Sequence, residues 1–296
     1  RDPRTRLHAL WTLDGVDAID VATVTEALEA SSRDVRVSAI RIAERWLAET
    51  SHPIHAALLK RVDDPDRMVR RQLAASLGVM VSGDRRNDAF VALLSRHGDD
   101  AVTVDAAMSG LRGSELAVLE RMLSLRATEN AARTSGSEDA MAMLAATIVR
   151  GAQDAAIQTL FTWLADEKRD SRDRSALLLG AEVALLGATP PGTPERRPAD
   201  ASVATLPCPT CPGGRAGPGG AYAFQRPGDP TVVAAGRANR GGVRSLRLNR
   251  EPVPLTSLAA RDGEIRSRAT RLIERIGWPG KPGDPAPVAP LTPEEQ

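Results

Sequence analysis

Apolar residues recur at helical spacing through most of the first 187 residues, and the pattern itself repeats. Three stretches, 35–40, 69–74 and 102–107, can be aligned, and their first residues lie 34 and 33 positions apart. Each stretch follows an acidic residue and opens a helical apolar pattern. A repeat of this length is typical of stacked helical hairpins, in which no unit can bury its apolar face alone. The sequence therefore predicts an all-α fold, an α-solenoid of stacked antiparallel helix pairs.

Eleven helices are predicted before residue 188, from the apolar stripes and from capping residues such as Asp20 and Asp34. Pro3, Pro53 and Pro65 are the prolines of this region, and each stands where a predicted helix begins, a position that tolerates proline. The short connections imply antiparallel neighbours, which gives five pairs and the first helix of a sixth. The predicted helices are 3–14, 20–30, 34–49, 53–62, 65–80, 87–97, 101–111, 115–125, 138–150, 153–165 and 171–187, with a polar loop at 127–137.

Composition divides the chain into four segments, of which the helical body, 1–187, is the first. Residues 188–255 contain 12 prolines and 10 glycines, and such a segment buries too little apolar area to offset the entropy of ordering. It is predicted to be a disordered insertion that loops out between two helices of the solenoid. Helical periodicity returns at 256–278, the predicted terminal solenoid helices. Residues 279–296 have the composition of a Pro-rich linker, which would lead to a missing downstream domain.

Charge is distributed unevenly along these segments. The body has 24 basic and 28 acidic side chains, the insertion has 9 and 4, and residues 256–296 have 6 of each. A protein that binds phosphates through its body would need the opposite sign there. This argues against a nucleic-acid binder or a helical-repeat DNA-repair enzyme, and the Arg/Gly tract 236–242 has no interleaved aromatic residue for base stacking. No apolar run reaches the roughly 18–20 residues of a membrane span.

Cys208 and Cys211 form the one Cys-x-x-Cys of the chain. A zinc site needs four ligands, and no second pair exists. Attachment of a c-type haem needs His directly after the second cysteine, where this chain has Pro212. The pair is therefore interpreted as a fortuitous pair or a surface disulfide, with a functional thiol pair as the alternative.

Two further patterns contain metal-ligand residue types, but capping explains both. His52 and His55 would lie on the first turn of a helix, without a carboxylate to complete a three-ligand set, and are predicted to be exposed. Two acidic clusters stand at helix starts, where carboxylates accept hydrogen bonds from free N–H groups and meet the positive end of the helix dipole. These clusters are Asp63, Asp64 and Asp66, and Asp99 and Asp100.

Arginines and tryptophans of the body have structural interpretations as well. Arg36 and Arg70 follow the repeat valines and are predicted to bridge to an acidic residue of a neighbouring repeat, with ligand binding as the alternative. Trp11, Trp46 and Trp163 fall on apolar stripes and are predicted to pack in the core. No residue is assigned a catalytic, cofactor-binding or metal-binding role.

The starts Asp34-Val35-Arg36, Val69-Arg70 and Ile265-Arg266, each with small residues three or four positions later, resemble HEAT repeats. The segment 6–13 and the exit from Trp278 to Glu295 also resemble the HEAT region of large bacterial proteins. In those proteins a sugar-dehydrogenase-like β-propeller precedes this region and a c-type cytochrome domain follows it. The resemblance implies export to the periplasm or beyond, and a haem c in a downstream domain rather than in this segment.

Together these features predict a non-catalytic scaffold that contacts proteins through a groove lined by the second helices of the pairs. The resemblance makes it a connector within a cytochrome c-linked, dehydrogenase-like protein. A second hypothesis is a free-standing protein-binding adaptor, for which a cytoplasmic location stays open. A nucleic-acid binder is the third hypothesis, and an enzyme subunit that holds haem or metal at Cys208 and Cys211 is the fourth.

Overall fold

A computed structural model describes residues 2–128, 135–193, 245–261 and 264–283. These residues fold into thirteen α-helices and a two-stranded parallel sheet, so the all-α prediction is confirmed. The elements are α1 (Pro3–Gly15), α2 (Val21–Leu28), α3 (Arg33–Leu47), α4 (Ile54–Leu59), α5 (Arg67–Ser76), α6 (Asp84–His97), α7 (Ala101–Leu111), α8 (Glu115–Thr128), α9 (Ser135–Arg150), α10 (Asp154–Ala165), α11 (Ser171–Leu185), β1 (Leu246–Arg247), α12 (Val253–Ala259), α13 (Glu264–Glu274) and β2 (Ile276–Gly277). In the part of the chain that is described, no helix is both long and apolar enough to cross a membrane.

Helix starts follow the capping rules, but some lie one or two residues from the predicted positions. Asp20 caps α2 by accepting a hydrogen bond of 2.7 Å from the Thr23 N–H, as predicted. The N-cap of α3 is Ser32 rather than Asp34, which lies in the first turn. Two predicted helices also end in a turn of 3-10 helix, Lys60–Asp63 after α4 and Leu77–Val79 after α5.

The structural repeat is more regular than the sequence alignment suggested. The N-caps of α3, α5 and α7 are Ser32, Asp66 and Asp100, which are 34 residues apart in both steps. The third aligned stretch was therefore shifted by one residue. The position equivalent to the buried Val69 is Thr103, which is fully buried, whereas Val102 is 51% exposed.

Helices of the solenoid form two sets that alternate along the chain. The odd-numbered helices contact one another in succession, from α1 on α3 to α11 on α13. Among the even-numbered helices, α2 packs on α4, α6 on α8 and α10 on α12. Leu, Ala, Val and Ile supply most of a continuous core that runs from Leu10 to Trp278. Each helix pair thus covers an apolar face that it could not bury alone.

Small residues allow the extensive contact between α9 and α11. A Cβ atom placed on Gly180 of α11 would lie 2.6 Å from the Cβ of Ala145 and would also overlap the carbonyl oxygen of Ala142. Both partners belong to α9, and one is backbone, so neither helix can accommodate a larger residue without moving. The glycine is therefore required by packing rather than by backbone conformation.

The stack continues on both sides of the long insertion. Although α11 ends at Leu185 and α12 begins at Val253, α12 packs on α10 and α13 packs on α11. The insertion therefore leaves and re-enters between two helices of one stack, where the sequence analysis placed it. Residues 194–244, the larger part of this segment, lie outside the described residues, as does the Thr-Val-Val run at 231–233.

The last residues assigned to the insertion are part of the fold, which corrects its predicted boundary. β1 pairs in parallel with β2, with Leu246 opposite Ile276. The Asn249 N–H donates to the Asp154 carboxylate at 2.7 Å, and the Gln158 amide donates to the Arg250 carbonyl at 3.3 Å. Residues 245–252 are thus held against α10 before α12 begins.

Candidate functional site

An open cleft lies between α4 and α6, on the side formed by the second helices of the pairs. Its volume is about 510 Å³. The helix α4 has only six residues, whereas α6 and α8 have 14 each. Because α4 ends early in a 3-10 turn, it contacts α6 mainly through that turn, Lys60–Asp63, and a gap is left beside it. The lining residues are Ser51, His52, Pro53, Ala56, Leu59 and Arg85.

His52 is fixed at the mouth of the cleft by two contacts. Its ring stacks on the indole of Trp46, with centroids 5.7 Å apart and planes 5° from parallel. Its Nδ1 accepts a hydrogen bond of 3.3 Å from the Ile54 N–H. A neutral imidazole whose Nδ1 is an acceptor carries its proton on Nε2. His52 can therefore offer an oriented N–H donor to a ligand.

Arg85 lines the opposite side, in the first turn of α6. A cation at this end of a helix opposes the helix dipole, which costs about 0.3–1 kcal/mol at low ionic strength. The next residue, Arg86, is buried and donates to the Leu111 carbonyl and the Ser114 hydroxyl. Arg85 is exposed and has no ion pair among the described residues. A charged residue in an unfavourable helix position, with no contact that compensates for it, is a candidate for a functional role.

His55 differs from its predicted exposure. The side chain is only 1% exposed, and its Nε2 lies 3.4 Å from the Trp46 carbonyl oxygen. Its Nδ1 is buried and has no hydrogen-bond partner in the described part of the protein. Among the described residues no group of three or more His, Cys, Asp or Glu side chains is arranged to hold a metal ion. His55 is therefore a packing residue next to the cleft, whereas His52 belongs to the lining.

The predicted arginine ladder exists, with one change of residue. Arg36 of α3 binds Asp64 through two hydrogen bonds of 2.8 Å. Arg70 instead donates to the main-chain carbonyl of Asp64 at 2.6 Å, and Arg71 makes the next bridge, to Asp100 at 2.6 and 2.7 Å. Arg36 also donates to a carbonyl six residues before it, as Arg70 does. The prediction for Arg70 was therefore wrong in its partner, because helical phase directs Arg71 toward α7.

Carboxylates of the two acidic clusters form ion pairs with arginines and cap helix starts. The Arg71 guanidinium, followed by the Thr103 hydroxyl, lowers the pKa of Asp100 to about 2, against the effect of its partial burial. Asp63 pairs with Arg96 at the surface, 2.5 Å apart. Asp66 accepts the Met68 N–H as the N-cap of α5.

His97, at the end of α6, is a second perturbed group. Burial lowers its pKa below the ordinary value, and the nearby Arg70 lowers it further. The carboxylates of Asp63 and Asp99 act in the opposite direction but do not prevail. His97 is therefore held neutral by its surroundings, and it lies outside the cleft.

The tryptophans pack in three different ways. Trp46 and Trp163 are partly buried against the core, as predicted. Trp11 is 44% exposed, and its indole N–H donates to the Ser38 hydroxyl of α3 at 3.2 Å. The prediction of a core position was wrong for Trp11, which lies at the surface beside α3. Trp278 is buried, and Lys281 stands 4.9 Å above its ring.

Some sequence candidates lie outside the described residues, namely the pair Cys208 and Cys211 and the tract 236–242. Sequence reasoning in turn missed Arg85, because it began α6 at residue 87 and so placed Arg85 in a loop. A helix start at Gly83 would have shown an arginine in an unfavourable first-turn position.

No protein-family model matches this chain, and searches of curated proteins and of solved structures found no match.

Proposed function

We propose that this chain is a non-catalytic scaffold, a HEAT-like solenoid that holds neighbouring domains or partner proteins at a fixed spacing. The observation that carries the proposal is a series of shielded ion pairs that join separate helices along the stack. Their donors are 23% exposed or less. The pairs are Arg36–Asp64, Arg71–Asp100, Arg126–Asp173 and Arg268–Glu182.

Such pairs favour one arrangement of adjacent helices over others. In three of the pairs, those of Arg36, Arg71 and Arg268, two hydrogen bonds join the guanidinium to the carboxylate and fix both distance and orientation. Losing the contact would leave a shielded charge without its partner, which is costly. Since each repeat contacts its neighbours, a fixed arrangement at every step gives a fixed spacing along the stack.

The resemblance extends the proposal to a parent protein. We infer a connector within an exported, cytochrome c-linked, dehydrogenase-like protein, whose haem would belong to another domain. The alternative is a free-standing adaptor with the same mechanical role. Sequencing the complete reading frame separates the two, since only the connector is flanked by a propeller and a haem-binding domain.

The test of rigid spacing is a pair of distance measurements by double electron–electron resonance. Cys208 and Cys211 are first replaced by serine, and spin labels are then placed on Arg4 and either Asp105 or Glu274, all of which are exposed. A single narrow distance distribution for both label pairs supports the proposal. A broad or multiple distribution for the long pair would show that the repeats move independently, and the scaffold proposal would fail.

A further inference from the structure

We propose that the cleft between α4 and α6 binds acidic side chains of an extended segment of a partner protein. This inference rests on the proposed function, since it names the chemistry of a partner that the scaffold would contact. It goes further in giving the position, the charge and the conformation of what is bound.

The electrostatics of the cleft favour an anionic occupant. The one charged side chain in its lining is Arg85. Lys60, which directly follows the lining residue Leu59, is also exposed and likewise lacks an ion pair among the described residues. The nearby carboxylates of Asp84 and Asp88 both bind the single guanidinium of Arg121, so they do not pair with Arg85, but the group keeps a net charge of −1.

Glu49 is a further carboxylate near the cleft, and it has no ion pair among the described residues. Glu49 precedes Ser51 by two residues and is exposed, but it is not part of the lining. It reduces the local positive potential without contacting the occupant. A carboxylate in this place would weaken the binding of an acidic segment, which provides an internal test of the charge argument.

Hydrogen-bond donors complete the recognition of a carboxylate. The Nε2–H of His52 is oriented by the stack on Trp46, and the Ser51 hydroxyl lies in the same lining. A guanidinium, an N–H and a hydroxyl are the donor types that carboxylate oxygens accept. The His52 donor is held by the ring stack and by the Ile54 N–H, so it loses little entropy when it binds.

The apolar part of the lining favours a peptide over a free anion. Pro53, Ala56 and Leu59 form a wall on one side, which suits the methylene groups of Glu and an adjacent apolar side chain. The volume of about 510 Å³ accommodates one or two residues but no folded element. Because the cleft is open along the surface between α4 and α6, a chain can enter and leave it, which an enclosed pocket would prevent.

Fluorescence anisotropy with fluorescein-labelled hexaglutamate tests the inference, using the full chain. Hexaglutamine of the same length is the neutral comparison. Arg85→Gln is expected to weaken hexaglutamate binding about twofold to fivefold, as loss of one solvated ion pair requires. Glu49→Gln should tighten binding. The matched control is Arg4→Gln, which removes an exposed arginine without an ion pair among the described residues, far along the chain from α4.

The outcomes separate this inference from the scaffold proposal. Saturable binding of hexaglutamate but not hexaglutamine, weakened by Arg85→Gln and unchanged by Arg4→Gln, supports an acidic partner segment. Equal effects of the two arginine variants, or no binding, would overturn the inference and leave the spin-label distances untouched. Competition by free glutamate as strong as that by unlabelled hexaglutamate would identify a small-molecule site and would also overturn it.

Discussion

Removing one partner of the most buried ion pair gives the sharpest test of the helix ladder. Asp64 has no exposed side-chain surface, and Arg36 has 10%. In Asp64→Ala, the Arg36 guanidinium loses two hydrogen bonds of 2.8 Å and stays in a buried site. The N–H of Asp66, which the Asp64 carboxylate also accepts at 3.0 Å, loses its partner as well.

The magnitude follows from what remains around the orphaned charge. Breaking a buried ion pair by removing one partner typically costs about 3–5 kcal/mol. Arg36 keeps hydrogen bonds of 2.9 and 3.0 Å to the carbonyls of Ala30 and Ser31, so its charge is not wholly unsolvated. We therefore expect the lower end of the range, a loss of about 3 kcal/mol. The double variant Arg36→Met/Asp64→Ala should lose less than the sum of its single variants, because it leaves no buried charge.

Urea denaturation followed by circular dichroism at 222 nm measures the change in the free energy of unfolding. The control is Glu26→Ala, which removes an exposed pair with Arg6 and should cost about 1 kcal/mol or less. Addition of 1 M NaCl should reduce the effect at Glu26 much more than that at Asp64, because salt screens exposed charges. Equal losses in the two single variants, or an Asp64→Ala loss below about 1 kcal/mol, would refute the view that this pair joins the repeats.

Three further predictions concern packing and pH. Gly180→Ala should destabilise the protein by about 1–3 kcal/mol through overpacking. The control is Gly15→Ala, which should not destabilise the protein because no atom lies within 4 Å of the added carbon. Thermal melts of both variants measure the difference. Asp100 has a pKa of about 2 in the folded state, against an ordinary value of 3.8, so its contribution to stability is present above pH 4 and is lost as pH falls toward 2. Asp100→Asn should remove that part of the pH dependence of the unfolding free energy, as measured by urea unfolding between pH 2 and 5. The lowered pKa of His97 means that its contribution to stability is complete above pH 6.5 and declines as pH falls through the folded pKa. An NMR titration should give His97 a pKa below 6.5, and a value of 6.5 or above would contradict this.

Local patterns predicted the helices well because helix formation depends on neighbouring residues. The 3.6-residue spacing of apolar side chains, with caps such as Asp20, located eleven of the thirteen helices to within a few residues. The errors occurred where two signals compete within one turn. At the start of α6, the apolar stripe begins at Ala89, but the helix already begins at Asp84, and Arg85 was therefore assigned to a loop.

The partner of a side chain was predictable only where a single arginine of the helix turn could face the neighbouring repeat. Arg36 was assigned an acidic partner in the next repeat, and Asp64 supplies it. For Arg70 the neighbouring Arg71 competes, and a rotation of about 100° along the helix decides which of them faces α7. Similarly, Trp11 lies on an apolar stripe in the sequence, but the residue is 44% exposed and its indole N–H donates to Ser38 of α3.

The sequence by itself determined the repeating helical architecture, because apolar periodicity, caps and a repeat of about 34 residues are written in short stretches of chain. Tertiary structure alone decided which helices α12 and α13 pack on after the insertion, which guanidinium meets which carboxylate, and where the even-numbered helices leave a gap. These features join residues distant in sequence, as Glu182 and Arg268 illustrate. Their positions depend on helix lengths and crossing angles accumulated over several repeats, and these cannot be inferred from a short stretch of sequence.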